Sequence, residues 1–114
     1  MDLIFSREHA EKLKERYTVL ELETITLEQL PEPVTTWCVV PAERVIGELE
    51  MLPLSVAQHN ELIQAIAENK TKTALTLCEN LKGKFGGELD SFYEEIAKRV
   101  EITGSCVFVP VDHQ

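Results

Sequence analysis

Imidazoles, thiols and paired carboxylates are the side chains that move protons, attack carbonyls and hold metals. This chain carries three histidines, His9, His59 and His113, and three cysteines, Cys38, Cys78 and Cys106. No histidine stands in H-E-x-x-H, or in H-x-E with a following C-x-x-C, so neither zinc-hydrolase nor zinc-deaminase chemistry is indicated. The cysteines are an odd number at wide spacing, which suits reduced, buried thiols and neither a disulfide framework nor a metal site. His9 and His59 fall in the first turns of expected helices and read as solvated or capping groups. The pairs Glu21/Glu23, Glu48/Glu50 and Glu94/Glu95 each sit on the polar side of their own element, the ordinary place for a carboxylate. G-x-S-x-G, Walker A and dinucleotide-binding glycine patterns are absent. The expectation is no catalytic residue, no metal and no cofactor. An enzyme of unrecognised type would need a pocket where a histidine meets a cysteine or a glutamate.

Charge says more than motif. The net charge is -9 over 114 residues, and it is uneven. Residues 17–69 hold one base, Arg44, against nine acids, whereas residues 70–87 hold four lysines against one acid. A field of the first sign disfavours nucleic acid and anionic membranes and favours a basic partner. If residues 18–27 and 43–52 are strands, Glu21, Glu23, Glu48 and Glu50 are regularly spaced carboxylates on a rigid sheet, suited to a basic patch on another protein. Trp37 belongs to the core on composition, and becomes a partner-binding anchor if it points outward. The leading expectation is thus a small acidic protein-binding module, of the bacterial or phage inhibitor, immunity or adaptor kind. Association into a homodimer is compatible with it.

The basic stretch suggests the alternative. Gly83-Lys84-Phe85-Gly86 has the G-x-x-G form and lies between two expected helices, with a strand after the second. This is similar in outline to the K-homology RNA-binding module, whose G-x-x-G loop clamps backbone nucleotides. The resemblance covers about thirty residues and implies single-strand contact through Lys82 and Lys84, with Lys70 and Lys72 at the far end of the preceding helix. The chain departs from that pattern where Leu81-Lys82 replaces the apolar approach to the loop. It departs again where Glu88 and Asp90 open the second helix and repel a phosphate. A glycine-rich helix–helix junction, with glycine at positive φ as the cap, is the competing reading.

These residues must be positioned by one domain, since 114 residues suffice for a single core. No apolar run is long enough for a membrane span, and the first residues lack a basic n-region and an apolar h-region, so the expected location is the cytoplasm. Residues 2–5 read as a strand, and Ser6 as the N-cap of a short helix. Residues 18–27 alternate and then slip parity, which a bulge near Thr24 explains. Residues 34–40 are β-branched and aromatic. Residues 43–52 alternate as a strand, with a helix as the other reading. Ser55-Val56-Ala57-Gln58 has capping-box form, and helical stripes follow at Val56, Leu62, Ile63, Ile66, Ala67, then at Ala74, Leu77, Cys78, Leu81 and Phe85, then at Leu89, Phe92, Tyr93, Ile96 and Val100. Residues 106–111 read as a closing strand. The expected order is β-α-β-β-β-α-α-α-β, an α+β fold with a mainly antiparallel sheet of four to five strands and three to four helices on one face.

Overall fold

A strand that is apolar and β-branched at consecutive positions has to be covered on both faces. Val34–Val40 is such a strand, β3, and it lies in the middle of a three-stranded antiparallel sheet of order β1-β3-β2. The computed structural model describes residues 2–25 and 32–106. β1 is Asp2–Ile4 and β2 is Thr18–Ile25. Between them α1, Arg7–Leu13, starts as expected at Ser6, whose hydroxyl accepts the His9 N–H at 3.4 Å. After β3 come α2 (Ala42–Val45), a 3-10 turn (Ile46–Glu48), α3 (Leu52–Ala67), α4 (Thr71–Leu81), a second 3-10 turn (Lys84–Gly87) and α5 (Asp90–Thr103).

The two faces of β3 enter different clusters. Cys38 and Val40 join Leu20 and Leu22 of β2 beneath α3, α4 and α5. Trp37 packs with Ile4 and Ala10 on the other side, with Leu13, Val19 and Val39 against them. α1 therefore covers the face opposite to the long helices. This corrects the expectation of helices on one face only, and the residue that forces it is Trp37.

Register explains β2. Leu20 pairs with Cys38 and Glu21 with Trp37, but Thr24 pairs with Thr35. Leu22 and Glu23 together oppose Thr36, a bulge where the parity slip placed one. The Thr36 hydroxyl donates to the Glu23 carbonyl at 3.0 Å and accepts the Glu23 N–H at 3.4 Å, replacing ladder bonds that the bulge interrupts.

The sheet is smaller than expected and the helices more numerous: among the described residues there are three strands and five α-helices. Residues 43–52 form α2, a 3-10 turn and the approach to α3, and no strand. Two prolines frame the segment. Pro41 is extended (φ -60, ψ 145) as the N-cap of α2, and Pro53 occupies the first turn of α3, where its missing N–H costs nothing. Alanine, glutamate, arginine and methionine between them are good helix formers. Of the supposed inward positions only Val45 is buried, whereas Leu49 and Met51 are exposed. α3 also starts before the capping-box motif, so Ser55 lies inside the helix and is buried. The closing strand expected at 106–111 lies outside the described residues from 107 onward, and Cys106 itself follows α5 as irregular chain.

Gly47 tests the helical reading of this segment. Its φ is not in the left-handed region, and a Cβ there would meet nothing within 4 Å. Gly47→Ala should raise unfolding free energy by about 0.5 kcal/mol, because alanine has less freedom to lose on folding. Urea titration reads it, and a loss of stability would contradict the assignment.

Candidate functional site

The four glutamates do not form one face. Glu21, half-buried in β2, stands opposite Trp37 in register. The bulge swings Glu23 to the helix side, where both its oxygens meet Arg99 of α5, at 2.9 and 3.2 Å. With side-chain exposures of 10% for Arg99 and 15% for Glu23, this is a largely desolvated pair, and Arg99 also donates to the Cys106 carbonyl at 3.1 Å. Glu48 is spent on the backbone of residues 85 and 86. Glu50 is exposed on the turn before α3. Glu48 and Glu50 thus leave the sheet together with the strand that was expected to carry them. Trp37 is 5% exposed, with the Arg7 guanidinium 5.7 Å from its ring centroid. It is a core residue here, clamped under α1.

The Gly83–Gly87 stretch is built of left-handed residues. Gly83, Phe85, Gly86 and Gly87 have φ of 84°, 55°, 65° and 79°. Glycine adopts such values at little cost, but Phe85 does not. Its ring repays that cost by full burial in the main core. The turn directs two successive N–H groups, of Phe85 and Gly86, at one concavity of the kind that binds anions. The Glu48 carboxylate fills it, accepting one N–H on each oxygen at 2.9 Å. Neighbouring charges close in the same manner. Asp90 accepts the Gly83 N–H at 2.8 Å, and Arg44 meets Glu88 at 2.9 Å. An internal carboxylate therefore stands where a G-x-x-G clamp would hold phosphate. Lys82 is exposed and Lys84 half-buried beside it, and Lys70 pairs with Glu68 at 3.4 Å.

His59 is the residue that sequence reasoning misplaced. It is fully buried in α3, with Nε2 2.6 Å from the Glu21 carbonyl and Nδ1 2.9 Å from the Tyr93 hydroxyl. A carbonyl only accepts, so Nε2 carries the proton and Nδ1 accepts from Tyr93. Phe85, Phe92 and Tyr93 surround the ring at centroid distances of 6.1, 6.2 and 5.9 Å. Burial pushes its pKa down to about 4, against the opposing effect of the Glu21 hydrogen bond. Burial likewise pushes the Tyr93 hydroxyl up, and the Cys78 thiol up to about 11. The neutral imidazole has both nitrogens engaged and reaches no solvent, so its role is to join elements. The signal was present: Ser55, His59, Leu62 and Ile66 share one helical face, and all are buried. His9 is exposed on α1, and His113 lies outside the described residues.

Exposed apolar surface is concentrated elsewhere. A groove of about 730 Å³ runs between the α1–β2 turn, including Tyr17, and the segment after β3, including Ile46, Leu49 and Leu52. Ile46 is 72% exposed and Leu49 59%, and Met51 and Leu54 are exposed next to them in sequence. Four of the nine exposed large apolar side chains among the described residues thus fall within residues 46–54. The strand reading hid this feature by turning Leu49 and Met51 inward. Among the described residues no group of three histidine, cysteine, aspartate or glutamate side chains could hold a metal ion.

Two consequences are measurable. Because the folded pKa of His59 lies below its ordinary 6.5, the unfolded chain takes up the proton first as pH falls. The associated stability is complete above about pH 6.5 and is lost progressively down to about pH 4, by about 3 kcal/mol in all. Urea unfolding at several pH values should show this slope, and His59→Leu should remove it while lowering stability at pH 7 by about 2 kcal/mol. At the junction, a Cβ on Gly86 would lie 2.5 Å from the Arg44 carbonyl oxygen at a φ of +65°. Gly86→Ala should cost at least about 2 kcal/mol, and Glu48→Ala about 1–3 kcal/mol through two unpaired N–H groups. Unchanged denaturation midpoints would contradict both. Comparison with protein-family models, with curated proteins and with solved structures finds no match to this chain.

Proposed function

We propose that this chain is a protein-binding module whose contact surface is the apolar groove beside residues 46–54, in place of a glutamate-rich sheet face. The observation that carries the proposal is that Ile46 and Leu49 line a groove while remaining 72% and 59% exposed, with Met51 and Leu54 also exposed close by in sequence. Large apolar side chains left exposed at a groove are costly to keep in water and are an ordinary mark of an interaction surface. The inhibitor, immunity or adaptor role expected from charge needs a partner surface of this kind, and the net charge of -9 supports a basic partner approaching at long range.

The nucleic-acid reading has less support, because the N–H pair that would receive a phosphate already holds Glu48. No catalytic step is assigned. A cytoplasmic location is part of the proposal and rests on Cys38, Cys78 and Cys106 being buried cysteines outside any disulfide, which suits a reducing compartment. No helix among the described residues is long and apolar enough to cross a membrane.

A photo-crosslinking residue in place of Leu49 tests the surface in cells that make the chain naturally. It should give a discrete protein adduct, whereas the same residue in place of Leu75, exposed on α4, should not. No adduct from position 49, or equal labelling from both positions, would count against the proposal.

A further inference from the structure

The segment after β3 has two sides. α2 runs directly into the 3-10 turn, so positions four apart in the first and three apart in the second point the same way. Arg44 and Glu48 serve one side, and Ile46 and Leu49 the other. The first side is fastened to the α4–α5 junction. Glu48 accepts the N–H groups of Phe85 and Gly86 at 2.9 Å each, and Arg44 Nε donates to Glu88 at 2.9 Å. Between these two ties the backbones touch, since a Cβ on Gly86 would stand 2.5 Å from the Arg44 carbonyl oxygen. The second side lines the groove.

Little within the segment holds it in place. α2 has four residues and the 3-10 turn three, lengths at which helical bonding is not stable by itself in water. Val45 is the one buried side chain of the two. The Arg44–Glu88 pair, 56% exposed on the arginine side, contributes little. The charge-assisted bonds of Glu48 are stronger. Their donors belong to a junction that Phe85 fixes by its full burial in the main core. We infer that this junction sets the shape of the groove, with Glu48 as the positioning residue that transmits it. The inference rests on reading the groove as a protein-binding surface, and places its control outside the groove itself. A chain whose tie is broken spends less time with Ile46 and Leu49 in place, and its apparent affinity for a partner falls in proportion.

Nitrogen relaxation NMR of the full chain, together with crosslinking from position 49 in cells that make the chain naturally, tests the inference. In the wild type, residues 45–49 should have backbone order parameters of about 0.85, as in α3. Glu48→Ala should lower them below about 0.6 while α3 and α5 keep theirs. Glu48→Gln, whose amide oxygen still accepts from the junction, should fall between. Asn69→Ala is the comparison. It removes the acceptor of the Ser105 hydroxyl and the Cys106 N–H, beyond the end of α3 opposite to the groove-lining Leu52, and should leave residues 45–49 ordered. With the photo-crosslinking residue in place of Leu49, Glu48→Ala should cut the adduct yield per folded chain about threefold or more, and Asn69→Ala should not. Unchanged order at residues 45–49 in Glu48→Ala, equal loosening by Asn69→Ala, or an adduct yield indifferent to Glu48 would overturn the inference and leave the groove reading standing. No adduct from the chain with Glu48 intact is the failure of the groove reading, and the inference falls with it.

Discussion

One buried imidazole joins the two halves of this fold. His59 sits on α3, gives its Nε2 proton to the carbonyl of Glu21 on β2, and takes a hydrogen bond from Tyr93 on α5. Burying a polar ring is tolerable only if both nitrogens are satisfied, and here each is satisfied by a different element. The ring fixes where the sheet meets the helices, and the aromatic side chains of Phe85, Phe92 and Tyr93 close around it. The bulge in β2 belongs to the same arrangement. By opposing two residues to Thr36, it sends Glu23 to Arg99 two residues beyond the carbonyl that His59 uses.

A second tie follows the same logic with a charge. Glu48, at the end of a 3-10 turn, accepts the N–H groups of Phe85 and Gly86 on its carboxylate, and so links the segment after β3 to the α4–α5 junction. Part of the acidic excess of residues 17–69 is consumed in such ways. Glu23 pairs with Arg99 and Glu48 caps a backbone turn, so a sequence charge count does not map onto a single acidic face. The surface left for recognition is apolar and lies beside the segment that Glu48 anchors.

What the sequence made legible was local and periodic. β3, the bulge in β2, the Ser6 cap and the buried stripes of α4 and α5 all follow from side-chain type at fixed spacing. Phe85 was in phase with the α4 stripe, and it is buried. Residues 43–52 misled because apolar and polar residues alternate there, while prolines at both ends and good helix formers between them favour helical turns. Alternation carries information only when one face is covered, and here Leu49 and Met51 are not. His59 was hidden by its residue type. Its position at i+4 from Ser55 and three residues before Leu62 marks the core face, but a lone histidine is ordinarily read as polar surface. The Glu48 and Arg99 contacts join residues 37 and 76 positions apart, and no local pattern encodes such a meeting.

The central claim is that a neutral, Nε2-protonated His59 ties β2 to α3 and α5. Long-range proton–nitrogen correlation NMR of the imidazole, recorded at about pH 5.5, reads this directly, because a histidine at its ordinary pKa is mostly charged there. The expected spectrum shows an uncharged ring with the proton on Nε2, a non-protonated Nδ1, and titration only near pH 4. An imidazolium at pH 5.5, or a proton on Nδ1, would contradict the claim.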